Sequence, residues 1–126
     1  LFFASISAGA CGATFEYLPV EKLGVAHPRE YDGAVLFDVL EHVADPYTAI
    51  RSVERSVKLD GWIIYCIPHP QAEHNSPRFE NAEEREHLYS FSLPMLQELF
   101  KVRKNMKIQE LTNEADQPMW MVRYQV

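Results

Sequence analysis

Two apolar runs with a capped helical pattern between them, all within Tyr31 to Pro70, constrain this chain more than any other feature. The first run, Gly33-Ala34-Val35-Leu36-Phe37, is too short for a helix and is bounded by Asp32-Gly33 and Asp38. It reads as a strand covered on both faces. Three ionisable groups follow in Asp38-Val39-Leu40-Glu41-His42-Val43-Ala44, where the chain would leave a sheet. Asp45-Pro46 predicts a helix start, with Asp accepting from unpaired backbone N–H groups and Pro in the first turn, where no N–H is needed. Ala49, Ile50, Val53 and Val57 form its apolar stripe, and Arg51, Glu54, Arg55 and Lys58 its wet side. Asp60-Gly61 is the expected stop, Gly taking the left-handed conformation that closes a helix. Trp62 to Ile67 is a second apolar strand, ending at Pro68-His69-Pro70. Strand, helix, strand at this spacing predicts a parallel pair with a right-handed crossover, and ligand sites in such units lie at the carboxyl ends of the strands.

The string YDGAVLFDVLEHVADPYTAIRSVERSVKLDGWIIYCIPHP resembles the middle of class I S-adenosylmethionine (SAM) dependent methyltransferases, especially the branch with the quinone-biosynthesis enzymes. LEHVADP is the most specific part, and EHLYSFSLPMLQELF is similar to the segment before the family's last helix. The resemblance runs in order over roughly residues 13 to 126. It implies a partial Rossmann-like α/β fold, its sheet mostly parallel with an antiparallel last strand and helices on the faces. It further implies SAM as cofactor, with Asp38, Val39, Pro19 and Val20 against it, and a small-molecule methyl acceptor. His42 and Glu41 then stand as catalytic candidates, and His69, His87 and Tyr89 as substrate contacts.

Histidine at position 42 suits a general base, because an imidazole exchanges its proton near neutral pH. The alternative is that Glu41 and His42 hold the turn together by bonding to backbone or to each other. Likewise, Tyr89 and Phe91 read either as pocket residues or as anchors that dock a loop. His69, His74 and His87 do not have metal-ligand spacing, so no metal site is expected.

The chain departs from the family in two places. Leu59-Asp60-Gly61 stands where a Pro-Gly-Gly is usual. At the N-terminus there is no clear copy of the strand, acid and Gly-rich loop that hold SAM. One reading makes Ala13 to Tyr17 the family's third strand and Pro19 to Leu23 the segment after it. The other makes Leu1 to Ile6 the first strand and Ser7 to Ala13 a decayed Gly-rich loop. In the family's strand order, 3-2-1-4-5-7-6, the first reading leaves the strand Ala34 to Phe37 without its usual neighbour, and sheet geometry favours the second. An open strand edge is a pairing site, which predicts a homodimer. Two functions stand side by side: a methyltransferase domain incomplete or inactive on its own, and a non-catalytic binding or dimerisation module derived from one.

The remaining features bound the reading. With 126 residues, 47% hydrophobic, the chain makes one domain, 1–126, and no apolar run nears the roughly 20 residues of a membrane span. A net charge of −6 without a basic cluster among aromatics argues against a nucleic-acid partner. Cys11 and Cys66 lack CxxC spacing, as expected of a reduced, cytoplasmic protein. Gln71 to Glu86 reads as a loop or lid. Ser92 opens a helix with Met95, Leu96, Leu99 and Phe100 on one face, and Lys107–Leu111 and Trp120–Val126 pair as strands, the latter alternating.

Overall fold

The computed structural model describes residues 13–74 and 87–126. Its four-stranded sheet contains β1 (Tyr31–Phe37), β2 (Val57–Pro68), β3 (Lys104–Thr112) and β4 (Pro118–Gln125), in the order β1-β2-β4-β3. β1 and β2 are parallel, while β4 runs antiparallel to both β2 and β3. Short helix α1 (Leu23–Ala26) follows a 3-10 turn at Val20–Lys22, and α2 (Pro46–Ser56) makes the crossover. α3 (Pro70–His74) and α4 (Leu93–Leu99) complete the fold.

α2 begins as the sequence requires. The Asp45 carboxylate accepts from the N–H groups of Tyr47 (3.0 Å) and Thr48 (3.2 Å) and from the Thr48 hydroxyl (2.6 Å), and Pro46 takes the first turn. The Thr48 bonds, hydroxyl first, hold the Asp45 carboxyl below its usual range. Ala49, Ile50 and Val53 are fully buried.

The helix ends earlier than Asp60-Gly61. It stops at Ser56, and Val57, also fully buried, opens β2 instead of closing the helical stripe. The terminator is a distant arginine: the Arg29 guanidinium donates to the carbonyls of Glu54 (2.8 Å) and Val57 (2.7 Å), and the Arg29 backbone N–H donates to the Arg55 carbonyl (2.8 Å). These bonds satisfy carbonyls that a helix end leaves open. Asp60 and Gly61 sit instead in a bulge, between the pairs Tyr31↔Val57 and Gly33↔Trp62. Asp60 takes φ 64°, and a Cβ on Gly61 would lie 2.5 Å from Val57 Cγ1 and 2.6 Å from the Asp32 carbonyl oxygen. Close approach, not helix closure, is why glycine stands there.

The core lies on one face of the sheet. Ile63, Tyr65 and Ile67 of β2 and Trp120, Val122 and Tyr124 of β4 pack with Leu96 and Phe100 and with the buried side of α2. The alternation expected for β4 is observed. β2 differs from a strand covered on both faces: Trp62 is 40% exposed and Ile64 half-buried, because among the described residues no helix is seen to cover that side as α2 and α4 cover the other. Val35 (57%) and Phe37 (65%) of β1 are exposed on it as well. Ala13 to Tyr17 forms no strand, and Phe15 and Tyr17 face water; Glu16 is instead tied to His27 at 2.5 Å. β1 therefore has one strand neighbour among the described residues. The alternative first strand, Leu1 to Ile6, with its Gly-rich loop and Cys11, lies outside the described residues, as does most of Gln71 to Glu86; Pro70–His74 is helical.

α4 opens at Ser92 with Pro94 in its first turn. Leu96 and Phe100 are buried, Leu99 partly so, and Met95 turns to water. Beyond the helix, Val102 has φ 60° and is 99% exposed, so a β-branched residue pays left-handed strain without packing in return. Val102→Gly is expected to stabilise the fold by about 1 kcal/mol, raising Tm by a few degrees. A lower Tm in thermal denaturation would show that the left-handed turn is not strained.

Candidate active site

β1 delivers the chain to the site. Asp38, directly after the strand, takes φ 50° and donates its N–H to the Cys66 carbonyl of β2 (3.1 Å). A left-handed non-glycine residue at a strand end is a form of strain that gathers at functional positions. It leaves the Asp38 side chain exposed and turns the chain into Val39, half-buried, and Leu40, buried.

Glu41 and His42 follow. Glu41 is completely buried, and neither carboxylate oxygen has a hydrogen-bond partner among the described residues. The Nε2 of His42 lies 3.8 Å from Glu41 Oε1, too long for a hydrogen bond. Burial, with the Asp38 charge in support, pushes the Glu41 carboxyl above its usual range, against weaker pulls from the backbone, His42 and His87. The His42 ring meets that of His87 edge to face at a centroid distance of 4.5 Å. A strap holds His87 there: Leu88 N–H donates to the Glu41 carbonyl (2.7 Å), the Tyr89 hydroxyl to the Ala44 carbonyl (2.7 Å), and Trp120 Nε1 to the Phe91 carbonyl (2.9 Å).

The structure thus brings Glu41, His42 and His87 together, with Asp38 within electrostatic reach. The others stand apart. Tyr89 is an anchor, bonded to Ala44 and packed on Phe91 (5.8 Å). His69 stacks on Trp120 (4.6 Å) with Nε2 3.9 Å from Glu110 Oε2. Pro19 caps the 3-10 turn, which packs on α2, and Val20 contacts the core from there. No bond of these last two with Glu41, His42 or His87 is seen. The burial of Glu41 has no sequence signal, since Leu40-Glu41-His42 reads the same on a wet turn. The Asp38 conformation has a weak one, because Asp tolerates the left-handed region better than most residues.

Glu41, His42 and His87 each offer one ligand atom, all within 4.8 Å of one another. Metal bonds of about 2.0–2.2 Å would hold neighbouring ligand atoms roughly 3.4 Å apart, so a divalent ion would have to draw the three inward. As the group stands, it is better suited to moving a proton. The exposed Asp38 beside the strand end also fits a cationic ligand.

The cost of Glu41 is measurable. Because its folded-state carboxyl titrates above the ordinary value of 4.5, the folded chain keeps a proton that the unfolded chain has lost, and stability falls as pH rises through that window. Glu41→Gln removes the penalty. It should be more stable than the parent by about 1–3 kcal/mol at pH 8, with the gain shrinking below pH about 4.5. Urea unfolding at the two pH values checks this, and equal stability of parent and variant at pH 8 would place the carboxylate in water.

The fold is that of the SAM-dependent methyltransferases. Residues 10–103 match the family described as Methyltransferase domain, and the chain belongs to that family. A ubiquinone biosynthesis O-methyltransferase of Nitrosomonas europaea is 39% identical over 51 residues, 40% of this chain and 22% of the relative. That of Thiobacillus denitrificans is 35% identical over the same length. The matched segment is thus about a fifth of these relatives. Among solved structures, a SAM-dependent methyltransferase of Thermotoga maritima, described as a possible histamine N-methyltransferase, superposes with TM-score 0.71 at 18% identity, covering 94% of this chain and 66% of that one. The N-methyltransferase NodS of Bradyrhizobium japonicum, in complex with S-adenosylhomocysteine (SAH), superposes with TM-score 0.61 at 12% identity, covering 90% and 54%. SAM is the cofactor that this membership brings. Among the described residues, the exposed Asp38 at the end of β1 suits a ligand carrying a sulfonium and an ammonium group.

Proposed function

We propose that this chain is the catalytic part of a SAM-dependent methyltransferase for a small-molecule acceptor, incomplete or inactive on its own. One observation carries the reading: a carboxylate that is buried and has no hydrogen-bond partner among the described residues lies beside two histidines at the carboxyl end of β1. SAM, when bound, supplies the methyl group and its own leaving group, so the protein's tasks are to position and to move one proton. Asp38 and Val39 face the donor, with Pro19 and Val20 contributing from the turn on α2. His42 takes the proton from the acceptor's hydroxyl. Glu41 favours the imidazolium that results, its negative charge worth more in a dry setting. His87 and Tyr89 on the strap, and His69 at the end of β2, bound the acceptor side.

A second reading has its own support. The edge of β1 and the exposed Val35 and Phe37 suit a homodimer, formed edge to edge, in a chain that has given up catalysis for binding. A cytoplasmic setting fits the free, buried Cys66, whose thiol burial pushes up and so keeps unreactive. Among the described residues no helix is long and apolar enough to cross a membrane.

Isothermal titration of SAM and SAH into the 126-residue chain separates the two. Micromolar binding supports a cofactor site. No binding at millimolar ligand supports a cofactor-free fragment or the binding module, and a mass in sedimentation that rises with concentration supports the dimer.

A further inference from the structure

At the amino end of β1, remote from Glu41 and His42, a groove of about 580 Å³ is lined by Arg29, Arg51, Arg55, Lys101, Arg103 and Lys104. These are six of the chain's 12 Lys and Arg residues, in a protein of net charge −6. The charges are not all spent within the fold. Arg103 is paired with Glu54, the one acid in the lining, Lys104 with Asp60 and Lys101 with Glu98. Arg29 is turned to the carbonyls that end α2. Arg51 and Arg55, both exposed, have no carboxylate partner among the described residues; Arg51 lies over the Tyr47 ring at 5.9 Å. The same two arginines line an adjoining hollow of about 320 Å³, with Glu21 on its far side, so they form a ridge between two recesses.

We propose that this ridge and groove bind an acidic polypeptide segment in extended conformation. The spacing supports it: side chains at i and i+4 of a helix stand about 5–6 Å apart, and alternate side chains of an extended peptide about 6.6–6.8 Å. Two successive acidic residues of one peptide face therefore meet the guanidinium forks of Arg51 and Arg55, which suit carboxylates in pairs. The recesses are open to solvent, unlike the enclosed sites that bury most of a small ligand, and they are concave, unlike a surface made for a flat bilayer. The surface stands at the opposite end of the strands from the methyl-transfer groups, so the peptide and SAM do not compete.

Fluorescence anisotropy on the 126-residue chain tests this, with a labelled ten-residue peptide of alternating Glu and Thr as probe. Binding is expected with Kd below about 100 μM at low salt, weakening as salt rises. The exposed double variant Arg51→Ser/Arg55→Ser should bind at least tenfold more weakly with an unchanged Tm, while Lys107→Ser, outside the groove, and saturating SAH should leave binding as it was. Three results would overturn the proposal: no peptide binding at millimolar concentration, equal binding by the double variant, or binding of tripolyphosphate or phosphatidylglycerol vesicles in place of the peptide.

Discussion

His42→Ala should slow the proposed methyl transfer to a hydroxyl acceptor by about 10²–10⁴-fold, the range that a positioned general base contributes. The side chain is about one-third exposed, 37%, and Leu40, Ala49 and Ile50, not His42, fill the core around the turn. Its loss should therefore leave Tm within a few degrees and SAH affinity within severalfold. That separation matters, because a structural role for His42 would lower Tm and rate together. His42→Gln, which keeps the size and one hydrogen bond, should be as slow as Ala. Equal rates in parent and variants would remove the base from position 42, whereas loss of SAH binding would make it a donor contact instead.

Glu54→Ala should cost about 3 kcal/mol of stability, lowering Tm by roughly 10 °C. Glu54 Oε1 accepts from Arg103 Nε at 2.8 Å and from the Tyr124 hydroxyl at 3.0 Å. Arg103 in turn lies over the Tyr124 and Phe100 rings, at 5.7 and 5.9 Å, and donates to the Leu99 carbonyl. One carboxylate thus joins α2 to the turn after α4 and to β4. Removing it leaves a guanidinium with little water around it and a hydroxyl buried without its acceptor, and the unpaired groups account for most of the loss. Burial pushes the Tyr124 and Tyr65 hydroxyls above the usual range, so the network stays neutral at its tyrosines across the working pH range. Arg103→Ala in the Glu54→Ala background should cost much less than in the parent. A Glu54→Ala protein within 0.5 kcal/mol of the parent in denaturant titration would mean that the pair is solvated and weak.

How far the sequence could be read varied with distance along the chain. Asp45-Pro46 specified the start of α2 because the cap is built from neighbours three residues apart, and local bonds need no tertiary knowledge. The end of α2 escaped the same logic, since Asp60-Gly61 has the form of a helix stop while Arg29, some 25 residues earlier, supplies the groups that end it. Ala13 to Tyr17 has the composition of a strand, yet a strand needs a partner edge, and Glu16 found His27 instead. At the site, the order Asp38, Glu41, His42 was legible, and so was its place after a strand. His87 was legible only through the resemblance, and the sealing of Glu41 not at all, because burial depends on what folds over a residue.

What the sequence alone determined here is the strand-helix-strand unit, the alternation of β4 and the methyltransferase family, all carried by patterns within a few turns or pleats. Tertiary structure decided the end of α2, the open face carrying Val35 and Phe37, the Glu54–Arg103–Tyr124 network and the contact of His42 with His87. The physical reason is range. Caps and periodicity arise from bonds and faces a few residues apart, whereas buried charge and sheet coverage depend on segments that meet only after the chain has closed long loops, and no local pattern encodes which segments those will be.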